Sequence, residues 1–297
     1  MNSTSNARPN AEGNGDRPGG PDSAAERRRR TPWPLAVVAV LFVVVPFLTW
    51  YWTWFGRTLG DEEIGRYLSE GKPRHAQHAL SQVAEAFERG DAGAGRWNAQ
   101  VLGLASSPSP DVRMTAAWVM GAEHRSGEFR ETLARLLEDP EPIVRRNAAL
   151  ALVRFGDGRC RPELLAMLRP YTLRAADSGT ALTALTAGSR VKRDSLLLRF
   201  KTAAGESGEL RSPLPGTVGR ASLKDGDVFE AGAELFVLAP DAEQVTDALT
   251  GLLYLGQEEE LADVERYARG VEGMPQDLKT KAALTAEAIK RRVSQNQ

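Results

Sequence analysis

The chain has almost none of the residues that soft-metal, thiol or disulfide chemistry requires. Its one cysteine, Cys160, excludes an intramolecular disulfide. Arg159 and Arg161 flank that thiol, a setting that can lower a thiol pKa, but the position reads more simply as a small residue beside a helix. Of the three histidines, His75 and His78 lie three apart and share a helical face without a third ligand, and His124 stands alone. They are read as a solvated pair and an isolated side chain, with no metal site expected. Charge is nearly balanced, at −1 overall, and no basic stripe marks a nucleic-acid surface. No glycine-rich phosphate loop precedes a helix and no nucleophile elbow is present. The sequence therefore points to no catalytic residue, no cofactor and no enzyme.

Composition changes along the chain. Residues 1–30 are rich in Asn, Gly, Pro and Ser, carry six arginines against four acids, and are expected to be disordered and cytoplasmic. Residues 31–56 contain no charged side chain. Such a run exceeds the roughly 20 residues a helix needs to cross a bilayer, so a transmembrane helix is expected here, with Pro46 as a kink. Trp50, Tyr51, Trp52 and Trp54 would form its interfacial belt. A cleavable signal peptide is the rival reading, but it needs small residues where these indoles stand. Arg27, Arg28, Arg29 and Arg30 precede the span, and a nuclear-type signal or an RNA contact are the other readings of that cluster. By the positive-inside bias they place the N-terminus in the cytoplasm and the remainder outside it. The localisation expected is a single pass through a bacterial cytoplasmic (inner) membrane.

From residue 61 onward, helices of apolar periodicity alternate with Pro, Gly and Asp. SPDVRMTAAWVMG (109–121) and EPIVRRNAALALVRFG (141–156) overlay at an offset of 32: Val112 on Val144, Arg113 on Arg145, and Ala116-Ala117 on Ala148-Ala149. A fixed period of this size, with a helix pair per unit, is the mark of a helical solenoid. Asp139, Pro140, Val144, Arg145, Ala148, Ala149, Ala151, Leu152 and Gly156 make the stretch resemble HEAT repeats of the short bacterial type. A second overlay, at an offset of 100, puts Leu152 on Leu252, Gly156 on Gly256, Leu164 on Val264 and Leu168 on Ala268. Residues 277–293 add one more Ala-rich helix. The acidic run Glu258, Glu259, Glu260 is read as a solvated helix start, where negative charge suits the dipole.

Between these helical parts lies a β-prone segment. Val218, Leu223, Val228, Leu235 and Val237 alternate with polar residues, and Asp225-Gly226 signals a turn. GSRVKRDSLLLRF (188–200) is read against GDVFEAGAELFVL (226–238) with Val191 on Val228 and Leu198 on Leu235, an offset of 37. Through Ser212, Pro213, Gly216, Val218, Gly226, Asp227, Val228, Gly232 and Leu235, the segment resembles the biotinyl/lipoyl-like barrel-sandwich hybrid, including the version found in membrane fusion (adaptor) proteins. Carriers of that kind present a lysine at a hairpin tip. Here Lys201 lies at the hairpin root, and Lys192 and Lys224 are not at a tip.

The fold expected is mainly α. An α-solenoid of HEAT-like helix pairs (61–175 and 242–297) carries an inserted small β barrel-sandwich hybrid (178–241), after one N-terminal transmembrane helix. The function expected is a non-enzymatic, membrane-anchored extracytoplasmic scaffold whose partner is an integral membrane protein complex or transporter. The competing readings are a biotin- or lipoate-type carrier subunit and a periplasmic adaptor of an efflux or secretion system.

Overall fold

The computed structural model describes residues 37, 38, 40–47 and 58–295. Residues 37, 38 and 40–47 are helical (α1). No helix among the described residues is long and apolar enough to cross a membrane. This overturns the transmembrane helix expected over 31–56, and with it the single-pass inner-membrane localisation. The rest of that stretch, including Trp50, Tyr51, Trp52 and Trp54, lies outside the described residues, as do Arg27, Arg28, Arg29, Arg30 and the tail 1–30.

Residues 58–295 are described by themselves. Seven helices come first: α2 (Asp61–Ser69), α3 (Pro73–Glu88), α4 (Asn98–Leu104), α5 (Pro110–Ala122), α6 (Gly127–Leu136), α7 (Pro142–Arg154) and α8 (Arg161–Met167). Eight strands follow: β1 (Tyr171–Arg174), β2 (Gly179–Ala184), β3 (Arg190–Val191), β4 (Leu196–Thr202), β5 (Ser207–Arg211), β6 (Gly216–Ala221), β7 (Val228–Phe229) and β8 (Glu234–Ala239). Then come α9 (Ala242–Leu255), α10 (Glu258–Arg269) and α11 (Gln276–Gln295). Helices α3, α5, α7, α9 and α11 pack successively as one layer, with α4, α6, α8 and α10 against them. One apolar core runs through all of these helices, from Leu59 to Ile289.

The offset of 32 seen in sequence is a structural repeat. α5 and α7 each begin with Pro at the first turn, where its missing N–H costs nothing and its φ is preset. Each buries a Val and an Ala-Ala pair against its neighbour. The helices come so close that a Cβ on Gly121 would stand 2.8 Å from that of Ala151. The repeated arginines also act alike. Arg113 Nη1 donates to the Ser107 carbonyl at 2.9 Å and Arg145 Nη1 to the Asp139 carbonyl at 2.8 Å, so each ties its helix to the loop that enters it. Each then reaches forward. Arg113 forks onto Asp139 of the next unit at 2.7 and 2.8 Å, and Arg145 reaches Glu163 of α8 at 3.3 Å.

The glycines overlaid at an offset of 100 do different work. Gly156 follows α7 with φ of 67°, a left-handed terminus that lets the Asp157 N–H return to the Leu152 carbonyl at 3.1 Å. Gly256 is extended, with φ of −60° and ψ of 146°. It is needed for space, because a Cβ there would lie 2.6 Å from the Leu252 carbonyl oxygen and 2.8 Å from Ile289 Cδ1.

The strands form two four-stranded antiparallel sheets, β1-β8-β6-β3 and β5-β4-β2-β7. They are not a closed barrel, which corrects the barrel-sandwich expectation. The ladders run out at the short strands β3 (Arg190–Val191) and β7 (Val228–Phe229), which lie at sheet edges. The two halves of the segment do repeat. Ala181 pairs with Phe200 in one sheet as Val218 pairs with Leu238 in the other, and the ladder shifts directly afterwards in both. Likewise Gly179 faces Phe229 as Gly216 faces Val191.

From these pairs β2 (Gly179–Ala184) maps onto β6 (Gly216–Ala221) at an offset of 37, but β3 and β4 map onto β7 and β8 at 38. Val191 therefore corresponds to buried Phe229, not to Val228, which is 76% exposed. Leu198 corresponds to Phe236, not to Leu235.

Two contacts tie this segment to the helices. Arg193, in the turn between β3 and β4 (Leu196–Thr202), pairs with Asp111 at the start of α5. Gln244, in the first turn of α9, donates to the Pro215 carbonyl at 2.6 Å and accepts from buried Arg146 of α7. Burial pushes the Arg146 pKa down to about 10, with Glu163 opposing that shift, so the guanidinium stays charged near neutrality.

Two outcomes follow for stability. Burial raises the Asp139 pKa, but the bonds from Arg113 and the Glu141 N–H outweigh it and hold the carboxyl below the usual aspartate range. A depressed folded-state pKa stabilises the fold above the unfolded value of about 3.9, and that contribution is lost as pH falls through the folded value. Asp139→Asn is expected to cost about 2–3 kcal/mol in denaturant unfolding at neutral pH and to flatten the loss of stability below about pH 4. Gln244→Leu strands a buried guanidinium and should cost about 2–3 kcal/mol, whereas Arg146→Met with Gln244→Leu should recover most of it, since no charge is then left unpaired.

Candidate protein-binding groove

The residue at position 118 of α5 and its repeat equivalent at 150 of α7 are both bulky and apolar, yet neither is buried. Trp118 is 44% exposed and Leu150 half-buried. Both stand on the outer side of the α3-α5-α7-α9-α11 layer, because the positions just before them, Ala116-Ala117 and Ala148-Ala149, face inward. The face is smoothed by local bonds that keep its polar side chains on their own helices. Thr115 donates to the Asp111 carbonyl, Asn147 to that of Ile143 and Thr250 to that of Thr246, at 2.7–2.9 Å.

Between α7 and α9 the face opens into a groove. A cavity of about 500 Å³ is lined by Leu150, Val153 and Arg154 of α7 and by Asp247, Thr250, Gly251 and Tyr254 of α9. Its floor is Gly251, where a Cβ would meet Leu164 at 2.8 Å and Val153 at 2.9 Å. Tyr254 stands at the rim, 65% exposed. A second cavity of about 230 Å³ continues the groove toward the helix starts, past Ile143, Asn147, Asp241, Glu243 and the Arg146–Gln244 bridge. Leu150 and Asp247 line both. The two helices thus run side by side in the same direction, and their starts and ends define the two ends of the groove.

Charge is graded along it. Asp241, Glu243 and Asp247 cluster at the end near the helix starts, and Arg154 lies at the other. Asp241 caps α9 by accepting from the Gln244 N–H at 2.9 Å. Burial, then Glu243, raise the Asp247 pKa above the usual aspartate range, with Lys281 opposing and Asp241 adding.

The other residues singled out in the sequence are brought to no common site. His75 pairs with Glu70 and stacks on Tyr67, while His78 meets Gln82 at 3.0 Å. Among the described residues no group of three or more His, Cys, Asp or Glu could hold a metal ion. Cys160 is buried, and burial pushes its thiol pKa up to about 12. Its flanking arginines are engaged elsewhere, Arg159 with Asp157 and Glu131, and Arg161 with Glu259 and Glu260.

Glu260 is not solvated as its acidic run suggested. It is buried, closes a capping box with Gln257 and takes the Arg161 fork, joining α8 to α10. Lys192, Lys201 and Lys224 are exposed, and none lies in the turn between β4 and β5 (Ser207–Arg211), which spans Ala203–Glu206. The groove residues were not singled out from sequence. The signal that could have found Leu150 is the bulky apolar side chain recurring 32 residues after Trp118, outside the buried positions. Asp247 and Tyr254 carried no comparable signal.

Residues 99–187 match HEAT repeats, a stretch that begins in α4 and continues through α8 into the first strands. The helical part of the chain is accordingly HEAT-like. No curated protein matches the chain. Among solved structures, the chain is similar to one titled "Structure and function of a single-chain, multi-domain long-chain acyl-coa carboxylase", at 19% identity and a TM-score of 0.23. That likeness covers 41% of this chain and 14% of the carboxylase chain, and it carries no weight for fold or activity here.

Proposed function

We propose that this protein is a non-enzymatic scaffold that binds a polypeptide partner on the face shared by α5, α7 and α9. The observation that carries the reading is the series of exposed Trp118, half-buried Leu150 and exposed Tyr254 on successive helices of one layer, the last two lining a groove between α7 and α9. Large apolar side chains left in water on adjacent elements are characteristic of interaction surfaces, and aromatic residues dominate binding energy where they are desolvated. HEAT-like stacking supports the same reading in a general way, since it builds extended surfaces from repeated units.

A photo-reactive amino acid placed at Leu150 or Tyr254, in cells that make the protein, is expected to give discrete polypeptide adducts. The same group at exposed Glu138, beside α6 in the other layer, should give none. Adducts from Glu138 alone, or equal adducts from all three positions, would contradict the assignment of the face.

A further inference from the structure

Resting on that scaffold reading, we infer that the α7–α9 groove receives a polypeptide segment presenting a lysine or arginine followed by an aliphatic or aromatic anchor. The middle of the groove selects the anchor. Leu150, Val153 and the Tyr254 ring offer apolar walls, and Gly251, packed against Leu164 and Val153, adds no side chain of its own between them. The end near the helix starts selects the cation. Asp241 and Glu243 lie there, Asp247 stands between them and the middle of the groove, and none of the three forms an ion pair within 4.0 Å among the described residues. Two cations of the chain act on this end: Arg146 on Asp241, its guanidinium buried and committed to Gln244 with Glu163 3.9 Å away, and Lys281 on Asp247 without an ion pair.

Carboxylates outside any ion pair among the described residues, beside an apolar channel, are complementary to a basic side chain that precedes an apolar one. They would also repel phosphate, which disfavours nucleic acid as the occupant. The length is that of a short segment. From Ile143 to Arg154 a helix rises about 16 Å, enough for about five extended residues or three helical turns of a partner. Arg154, exposed and without an ion-pair partner among the described residues, closes the far end and sets a direction for the segment.

The test is selection of a random-peptide display library on the full-length chain, followed by affinity measurement on the enriched peptides. Enriched sequences should pair Lys or Arg with a nearby Leu, Ile, Phe or Trp. Tyr254→Ala should weaken them about tenfold, in the range of an interface anchor. Glu243→Lys, at an exposed position, should weaken them and reduce their sensitivity to salt.

Acidic or uncharged peptides that are nonetheless lost with Tyr254→Ala would overturn the stated occupant while leaving the scaffold reading in place. Peptides indifferent to Tyr254→Ala, or no enrichment at all, would overturn the groove as their site.

Discussion

The Arg146 guanidinium sits where three parts of the chain meet. It is 5% exposed, on α7, and it donates to Gln244 of α9, which in turn donates to the Pro215 carbonyl between β5 and β6. A buried charge without partners costs several kcal/mol, so these three groups must stay together for the fold to hold its charge. The consequence is positional. With Arg146 and Gln244 joined, α9 has to lie along α7 although 87 residues separate the end of one from the start of the other. The strand segment between them is pinned at Pro215, and Arg193 with Asp111 supplies a second anchor on α5.

That arrangement continues the helix layer and at the same time interrupts its regularity. α5 and α7 meet through small residues, with Gly121 against Ala151, which leaves no room between them. α7 and α9 meet closely only around Gly251, and on either side of that contact the surface falls into the groove. Further contacts across the same junction carry the second layer over it. Arg161 reaches Glu260, and Arg169 reaches Asp263 at 2.7 Å. Tyr267 closes the region by donating its hydroxyl to the Leu168 carbonyl at 2.8 Å. The functional face and the structural junction are therefore built from the same helices, with apolar side chains turned outward where the charged and amide groups hold the interior.

How much of this was legible in the sequence depended on whether local spacing carried the information. The period of 32 was visible because α5 and α7 bury equivalent side chains at equivalent positions, so packing wrote itself into residue type. The duplication of the strand segment was visible too, but its phase was misread by one residue. Leu196-Leu197-Leu198 and Leu235-Phe236-Val237 are continuous apolar runs, so a slip of one still sets apolar on apolar, and only ladder pairing resolves it. Gly156 and Gly256 looked equivalent because a letter does not distinguish positive φ from close approach. Glu260 looked like surface because its partner, Arg161, is 99 residues away. The uncharged run at 31–56 was read by hydropathy alone, which does not establish helix length, and no helix among the described residues is long and apolar enough for a span. The groove was hidden for a related reason, since Asp247 and Leu150 become neighbours only once α9 lies on α7.

The central claim is that α7 and α9 form one continuous packed unit across the strand segment, while the strands hold a core of their own. Native-state hydrogen exchange resolved to individual amides tests this directly, because contiguous cooperative units open with a shared free energy. Core amides of α7 and α9 are expected to exchange through one common opening, with the same denaturant dependence, whether or not the strands open with them. Exchange of α9, α10 and α11 at a distinctly lower free energy than α5 and α7 would contradict the account, since the junction at Arg146 and Gln244 would then be a boundary between two units.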